Sequence, residues 1–122
     1  MDHSKEFLAV VNEAKSRIQE VTVDDVLARQ KRGDQFRLVD VREDDEWRAG
    51  HAKGAEHIGK GVIERDIVAK APDKDEELIL YCGGGFRSAL AADALTKMGY
   101  TRARSLAGGW KAWNERKLPT EK

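Results

Sequence analysis

A chain of 122 residues that balances 22 basic against 22 acidic side chains has no net charge to draw it to nucleic acid or to an anionic membrane surface. It is long enough for one domain with a core of its own, and its single cysteine, Cys82, excludes an internal disulfide. No apolar run reaches membrane-spanning length, and the opening MDHSKEFLAVVNEAKSRI lacks the charged-then-apolar pattern of a signal peptide, so the expectation is a cytoplasmic protein.

Residues 4–20 place Phe7, Val10, Val11, Ala14 and Ile18 at helical spacing behind a capping-type Ser4. This predicts an amphipathic helix over residues 1–20 packed on a domain of residues 21–118, with a dimer contact as the other use of its stripe and a monomer favoured over a homodimer. Thr22 and Asp25 have the spacing of a capping box; Val26 and Leu27 supply a buried face, and Gly33 ends that helix. FRLVDV (36–41) reads as a short buried strand ending in Asp40. REDDEWRAG reads as a brief helix whose acidic block, Glu43 to Glu46, sits favourably at the positive end of its dipole. AEHI is a candidate strand, flanked by turn glycines at 54, 59 and 61. ELILYC (77–82) is apolar on both faces, as a central parallel strand should be. From Arg87, residues Leu90, Ala94, Leu95 and Met98 keep helical period up to Gly99; ARSL is read as the last strand and GGWKAWNERK as the last helix. Strands alternating with helices predict an α/β fold, a parallel sheet covered on both faces.

Ligands of such sheets bind beyond the carboxyl ends of the strands, where Cys82 stands at the start of a helix. Gly83, Gly84 and Gly85 let the backbone curl with its N–H groups inward, the helix dipole adds positive potential, and Arg87 adds a permanent cation. Such surroundings favour the thiolate. An incidental cysteine in a tight turn is the plain alternative. A nucleotide loop would need Gly-Lys-Ser/Thr where this chain has Gly-Phe-Arg-Ser, and a lone cysteine without neighbouring histidines argues against structural zinc. Covalent chemistry on an anionic substrate remains.

Four segments, LVDVREDDEW, GHAKGAEHI, CGGGFRS and LAGGWKAW, stand in the order and spacing of a known family. Over roughly residues 20–117 the chain resembles a single-domain rhodanese, a sulfurtransferase. The resemblance implies a parallel sheet of about five strands wrapped by helices. It also implies that Cys82 takes up a sulfane sulfur as a persulfide inside a loop of backbone amides from Gly83 to Arg87. Arg87 would close that loop and hold the donor, followed by the Ser88 hydroxyl. Asp40, Arg42 and His51 would be structural, and His57 is read the same way.

Phe86 would border the pocket mouth, while Trp110 and Trp113 anchor the core. No metal or organic cofactor is implied. The donor would be a small sulfur anion, thiosulfate or mercaptopyruvate. Because Gly83 and Gly84 stand where some thiosulfate-specific members carry basic residues, Lys53, Lys60 or Arg65 would assist Arg87. With one cysteine, the acceptor must be an external thiol or dithiol, either a small molecule or a thioredoxin-like protein. The alternatives are a sulfur carrier or binding module with little turnover and, less favoured, a phosphatase or arsenate reductase, whose loops place one more residue between cysteine and arginine.

Overall fold

The computed structural model describes residues 3–122. Its helices are α1 (Lys5–Lys15), α2 (Val23–Arg32), α3 (Asp44–Ala49), α4 (Ile63–Lys70), α5 (Phe86–Lys97) and α6 (Gly109–Glu115). Its strands are β1 (Gln19–Val21), β2 (Arg37–Asp40), β3 (His51–Ala52), β4 (Glu56–His57), β5 (Leu78–Tyr81), β6 (Ala103–Leu106) and β7 (Thr120–Glu121). Five strands form one parallel sheet in the order β1-β6-β5-β2-β4, while β3 and β7 make a separate antiparallel pair. No helix among the described residues is long and apolar enough to cross a membrane.

Local chemistry sets most boundaries. Ser4 Oγ accepts from the Phe7 N–H at 3.0 Å and starts α1. The Thr22–Asp25 capping box is present in both directions, at 2.9 and 3.1 Å, and Gly33 ends α2 at φ +78°. Helix α1 stops at Lys15, short of the expected residue 20, because Gln19–Val21 leave it to pair with Arg104–Leu106 as an edge strand. Within α1, Val11 and Ala14 are buried, but Val10 is 55% exposed and lies off the stripe assigned to it. Arg17 donates to both carboxylate oxygens of Asp93 on α5, at 2.9 and 2.7 Å, and ties the segment after α1 to the domain.

Strand β5 is the spine of the core. Leu78 and Leu80 point to one face, with Val39, Ile63, Ile67 and Leu95; Ile79 and Tyr81 point to the other, with Val26, Leu38, Leu106 and Trp113. All four β5 side chains are essentially inaccessible, and burying each apolar one contributes about 1.5–3 kcal/mol. Leu27, expected on the buried face, is half-buried, and Trp113 takes the deeper of the two tryptophan positions.

At the start of β5, the buried Glu77 carboxylate accepts from both terminal nitrogens of Arg29, with Arg104 at 3.2 Å and Arg102 at 3.6 Å. The Arg29 hydrogen bonds, ahead of the other charges and against the opposing effect of burial, hold Glu77 below its ordinary value of 4.5. A depressed folded value means that this stabilisation is complete above the unfolded carboxylate value and fades as pH falls through the folded one. The thermal midpoint should therefore decline on acidification below about pH 4.3, and less steeply in Glu77→Gln. Parallel acid slopes for the two proteins would show that Glu77 is not a source of the pH dependence.

Candidate active site

The loop after β5 is built by two close backbone approaches. The Cys82 carbonyl accepts from the Trp110 N–H at 2.7 Å, and the Gly83 carbonyl from the Lys111 N–H at 3.1 Å, so the first turn of α6 grips the loop from behind. Gly109 makes this possible: it sits at φ +49°, and a Cβ there would lie 2.3 Å from the Cys82 carbonyl oxygen. Gly85 caps α5 at φ +98°, a conformation that favours glycine, and turns its N–H toward the sulfur.

Cys82 Sγ accepts from the Gly85 N–H at 3.2 Å and from the Ser88 N–H at 3.3 Å, and lies 3.5 Å from Ser88 Oγ. The side chain is 1% exposed, so the sulfur is approached through a cavity rather than from open solvent. Ser88 Oγ is held by Ser105 Oγ of β6 at 2.8 Å, a partner the sequence reading did not single out. Donors aimed at one sulfur at the N-terminus of α5 form a site for negative charge on that atom.

Arg87 closes the loop, but its charge is already engaged. Its Nη1 and Nη2 donate to the two oxygens of Glu46 at 2.8 and 3.2 Å, and Glu46 also accepts from the Glu43 N–H at 3.0 Å. One carboxylate from the acidic block thus both caps α3 and fixes the arginine. Hydrogen bonding to Arg87 is the main reason Glu46 is held below the usual carboxylate range. Arg87→Ala should leave Glu46 as an uncompensated anion near the sulfur, disfavouring both a thiolate and an anionic donor. Persulfide formation should slow by about tenfold or more, since like charges a few ångströms apart near a protein surface oppose one another by about 1.4 kcal/mol or more. An unchanged loading rate would show that Arg87 plays no part in sulfur uptake.

Asp40 and Arg42 meet as a buried pair, 0% and 3% exposed, with Arg42 Nη2 donating to Asp40 at 2.7 Å and to the Gly50 carbonyl at 2.7 Å. The guanidinium also lies 4.6 Å from the Trp110 ring centre, beneath the helix that grips the loop. His51 stacks on Trp47 and its Nδ1 lies 3.0 Å from the Trp47 carbonyl; His57 Nε2 lies 2.8 Å from the Arg42 carbonyl. Neither histidine lines the cavity above Cys82.

That cavity, about 580 Å³, is lined by His3, Phe7, Glu46, Cys82, Gly84, Phe86 and Arg87. Phe86 is one of these lining residues. His3 and Phe7 are additional: their rings pack on Phe86, with centroids 4.7 and 6.3 Å away, so the N-terminal segment supplies a wall. Lys53, Lys60 and Arg65, expected to assist with an anionic donor, do not line it. Lys53 borders a separate hollow and Arg65 pairs with Asp66.

A parallel five-stranded sheet with a cysteine loop at the carboxyl end of its central strand places the chain in a defined class. The rhodanese-like domain model matches residues 22–116, and the chain belongs to that family. Among curated relatives, it is 40% identical over 88 residues to the probable adenylyltransferase/sulfurtransferase MoeZ of Mycobacterium tuberculosis, covering 71% of this chain and 22% of that one. It is 34% identical over 73 residues to the thiosulfate sulfurtransferase PspE of Escherichia coli, covering 60% and 69%. The chain spans between 22% and 63% of the length of the first curated relatives it matches. Of solved structures, a Rhodopseudomonas palustris protein of unknown function, described as a possible tyrosine phosphatase, superposes with TM-score 0.85 at 31% identity over 99% of this chain and 98% of that one. Human single-domain sulfurtransferase TSTD1 superposes with TM-score 0.72 at 28% identity, covering 80% and 96%. The likeness to the first of these extends through α1, which lies outside the family match.

Proposed function

We propose that the protein transfers sulfane sulfur through a persulfide on Cys82. The observation that carries this reading is the sulfur itself, buried at the floor of a cavity with the Gly85 and Ser88 N–H groups directed at it. In the first step the Cys82 thiolate attacks the outer sulfur of a donor such as thiosulfate. The S–S bond breaks, its electron pair leaves with sulfite, and a Cys82 persulfide remains. The amide donors stabilise negative charge on Sγ, as the thiolate that attacks in this step and leaves in the next. In the second step an acceptor thiolate attacks the terminal sulfur, taking it as a new persulfide and releasing the Cys82 thiolate; cyanide would leave as thiocyanate. With one cysteine in the chain, the acceptor is external, a small thiol or dithiol or a thioredoxin-like protein.

Four residues separate Cys82 from Arg87, and the two amides already converge on the sulfur at 3.2 and 3.3 Å. We read so short a loop as suited to one added sulfur rather than to the three oxygens of a phosphoryl group. Steady-state assays with thiosulfate and cyanide, followed by transfer to a panel of thiols and dithiols, test the reading. Multiple turnovers with at least one acceptor are expected, with no hydrolysis of aryl phosphates. Loading once and stalling with every acceptor would identify a carrier. Cys82-dependent phosphate release would overturn the loop-size argument.

A further inference from the structure

The cavity above Cys82 is poorly matched to a small dianion. At about 580 Å³ it falls within the range of sites for organic ligands, about 300–1,000 Å³. Among the described residues that line it, the opposite charges of Glu46 and Arg87 are joined in a two-point ion pair and cancel. Around them stand the phenyl rings of Phe7 and Phe86, the imidazole of His3 and the bare backbone of Gly84. The nearby ammonium of Lys15 is also engaged: it sits 5.2 Å from the Phe86 ring centre and 3.6 Å from Glu20. A thiosulfate ion entering here would lose hydration and meet in return one lining cation, Arg87, whose charge is already shared with Glu46, an exchange that costs free energy. An apolar group on the donor would instead exchange water for aromatic surface.

Resting on the sulfur-transfer reading, we propose that the preferred donor is an organic persulfide, R–S–SH, whose R group is apolar or aromatic and is held by Phe7, Phe86 and His3. Cys82 thiolate attacks the terminal sulfur; the Cys82–S bond forms, the R–S–S bond breaks, and its electron pair leaves on R–S⁻. That thiolate takes the proton formerly on the terminal sulfur, giving R–SH and an anionic Cys82 persulfide, so charge and electrons balance without a further reactant. Phe7 and Phe86 are specificity-determining: they hold the part of the donor that does not react.

The test measures second-order rates of Cys82 persulfide formation by quenched mass spectrometry of the full chain. The donors are phenylmethyl persulfide, glutathione persulfide and thiosulfate, with each persulfide rate divided by its rate toward free cysteine. The normalised rate for phenylmethyl persulfide should exceed that for glutathione persulfide by about tenfold or more, the discrimination an apolar pocket gives. The ratio should fall toward one in Phe7→Ala and less far in Phe7→Leu, which keeps an apolar side chain packing α1 if the alanine variant does not fold. Glu46→Gln should raise thiosulfate loading relative to phenylmethyl persulfide by freeing the charge of Arg87. A normalised ratio of one or below in the native protein, or a ratio unmoved by both Phe7 variants, overturns the donor assignment while leaving sulfur transfer intact. Failure of all three donors to load Cys82 contradicts sulfur transfer itself.

Discussion

Cys82→Ser should show no sulfur uptake and no turnover above buffer background with any donor, while keeping the native fold. Serine is near cysteine in volume, and its oxygen can accept from the Gly85 and Ser88 N–H groups that now reach Sγ at 3.2 and 3.3 Å. Neither the loop nor its grip by α6 depends on sulfur, since that grip runs through the Cys82 and Gly83 carbonyls. The buried thiol does contribute to the core cluster formed with Val41, Ile58 and Leu80, so a stability loss on the order of 1 kcal/mol is expected. A hydroxyl is far less acidic and far less nucleophilic than a thiol, and it cannot form a persulfide. Thermal unfolding and donor consumption, measured on the same preparation, check both halves. Residual turnover in a folded serine variant would place the chemistry elsewhere.

The largest stability effect is expected at Asp40. Removing its carboxylate in Asp40→Ala strands the Arg42 guanidinium, 3% exposed, with the Gly50 carbonyl as its remaining hydrogen-bond acceptor. Breaking one side of a buried ion pair costs about 3–5 kcal/mol, a large share of the 5–15 kcal/mol that holds a domain of this size. The damage should also reach the site, because Arg42 lies under Trp110 and the Trp110 N–H holds the Cys82 carbonyl. Urea unfolding should show a lower midpoint with an unchanged slope, together with slower sulfur loading. Asp40→Ala combined with Arg42→Met should recover part of the stability, since an apolar pair no longer buries an unpaired charge. A loss below about 1 kcal/mol in the single variant would mean that water reaches Arg42.

What could be read from the sequence was what short-range chemistry determines. The Thr22–Asp25 box, the Gly33 stop and the two-faced burial of β5 each have their causes within a few residues, and each is present. The cysteine loop was legible because Gly83–Gly85 and the onset of α5 are contiguous. Contacts made across the chain left no such mark. β1 is a three-residue edge strand with one buried side chain, and it exists because β6 offers it an edge 85 residues away. The two-residue strands β3 and β7 are likewise products of pairing rather than of pattern. Glu46 was hidden in a run of four acidic residues that a helix start fully explains; its approach to Arg87 follows from how α3 docks. The wall made by His3 and Phe7 was invisible for the same reason, since the stripe on α1 shows which side is apolar but not that it overhangs Cys82.

A persulfide on Cys82 can be seen by mass spectrometry of the intact protein after exposure to a sulfane-sulfur donor, followed by peptide mapping. A gain of one sulfur atom is expected, confined to the peptide containing Cys82, absent in Cys82→Ser and lost on addition of a dithiol. A protein whose mass is unchanged after thiosulfate, phenylmethyl persulfide and glutathione persulfide alike, or whose added sulfur survives the dithiol, would contradict it.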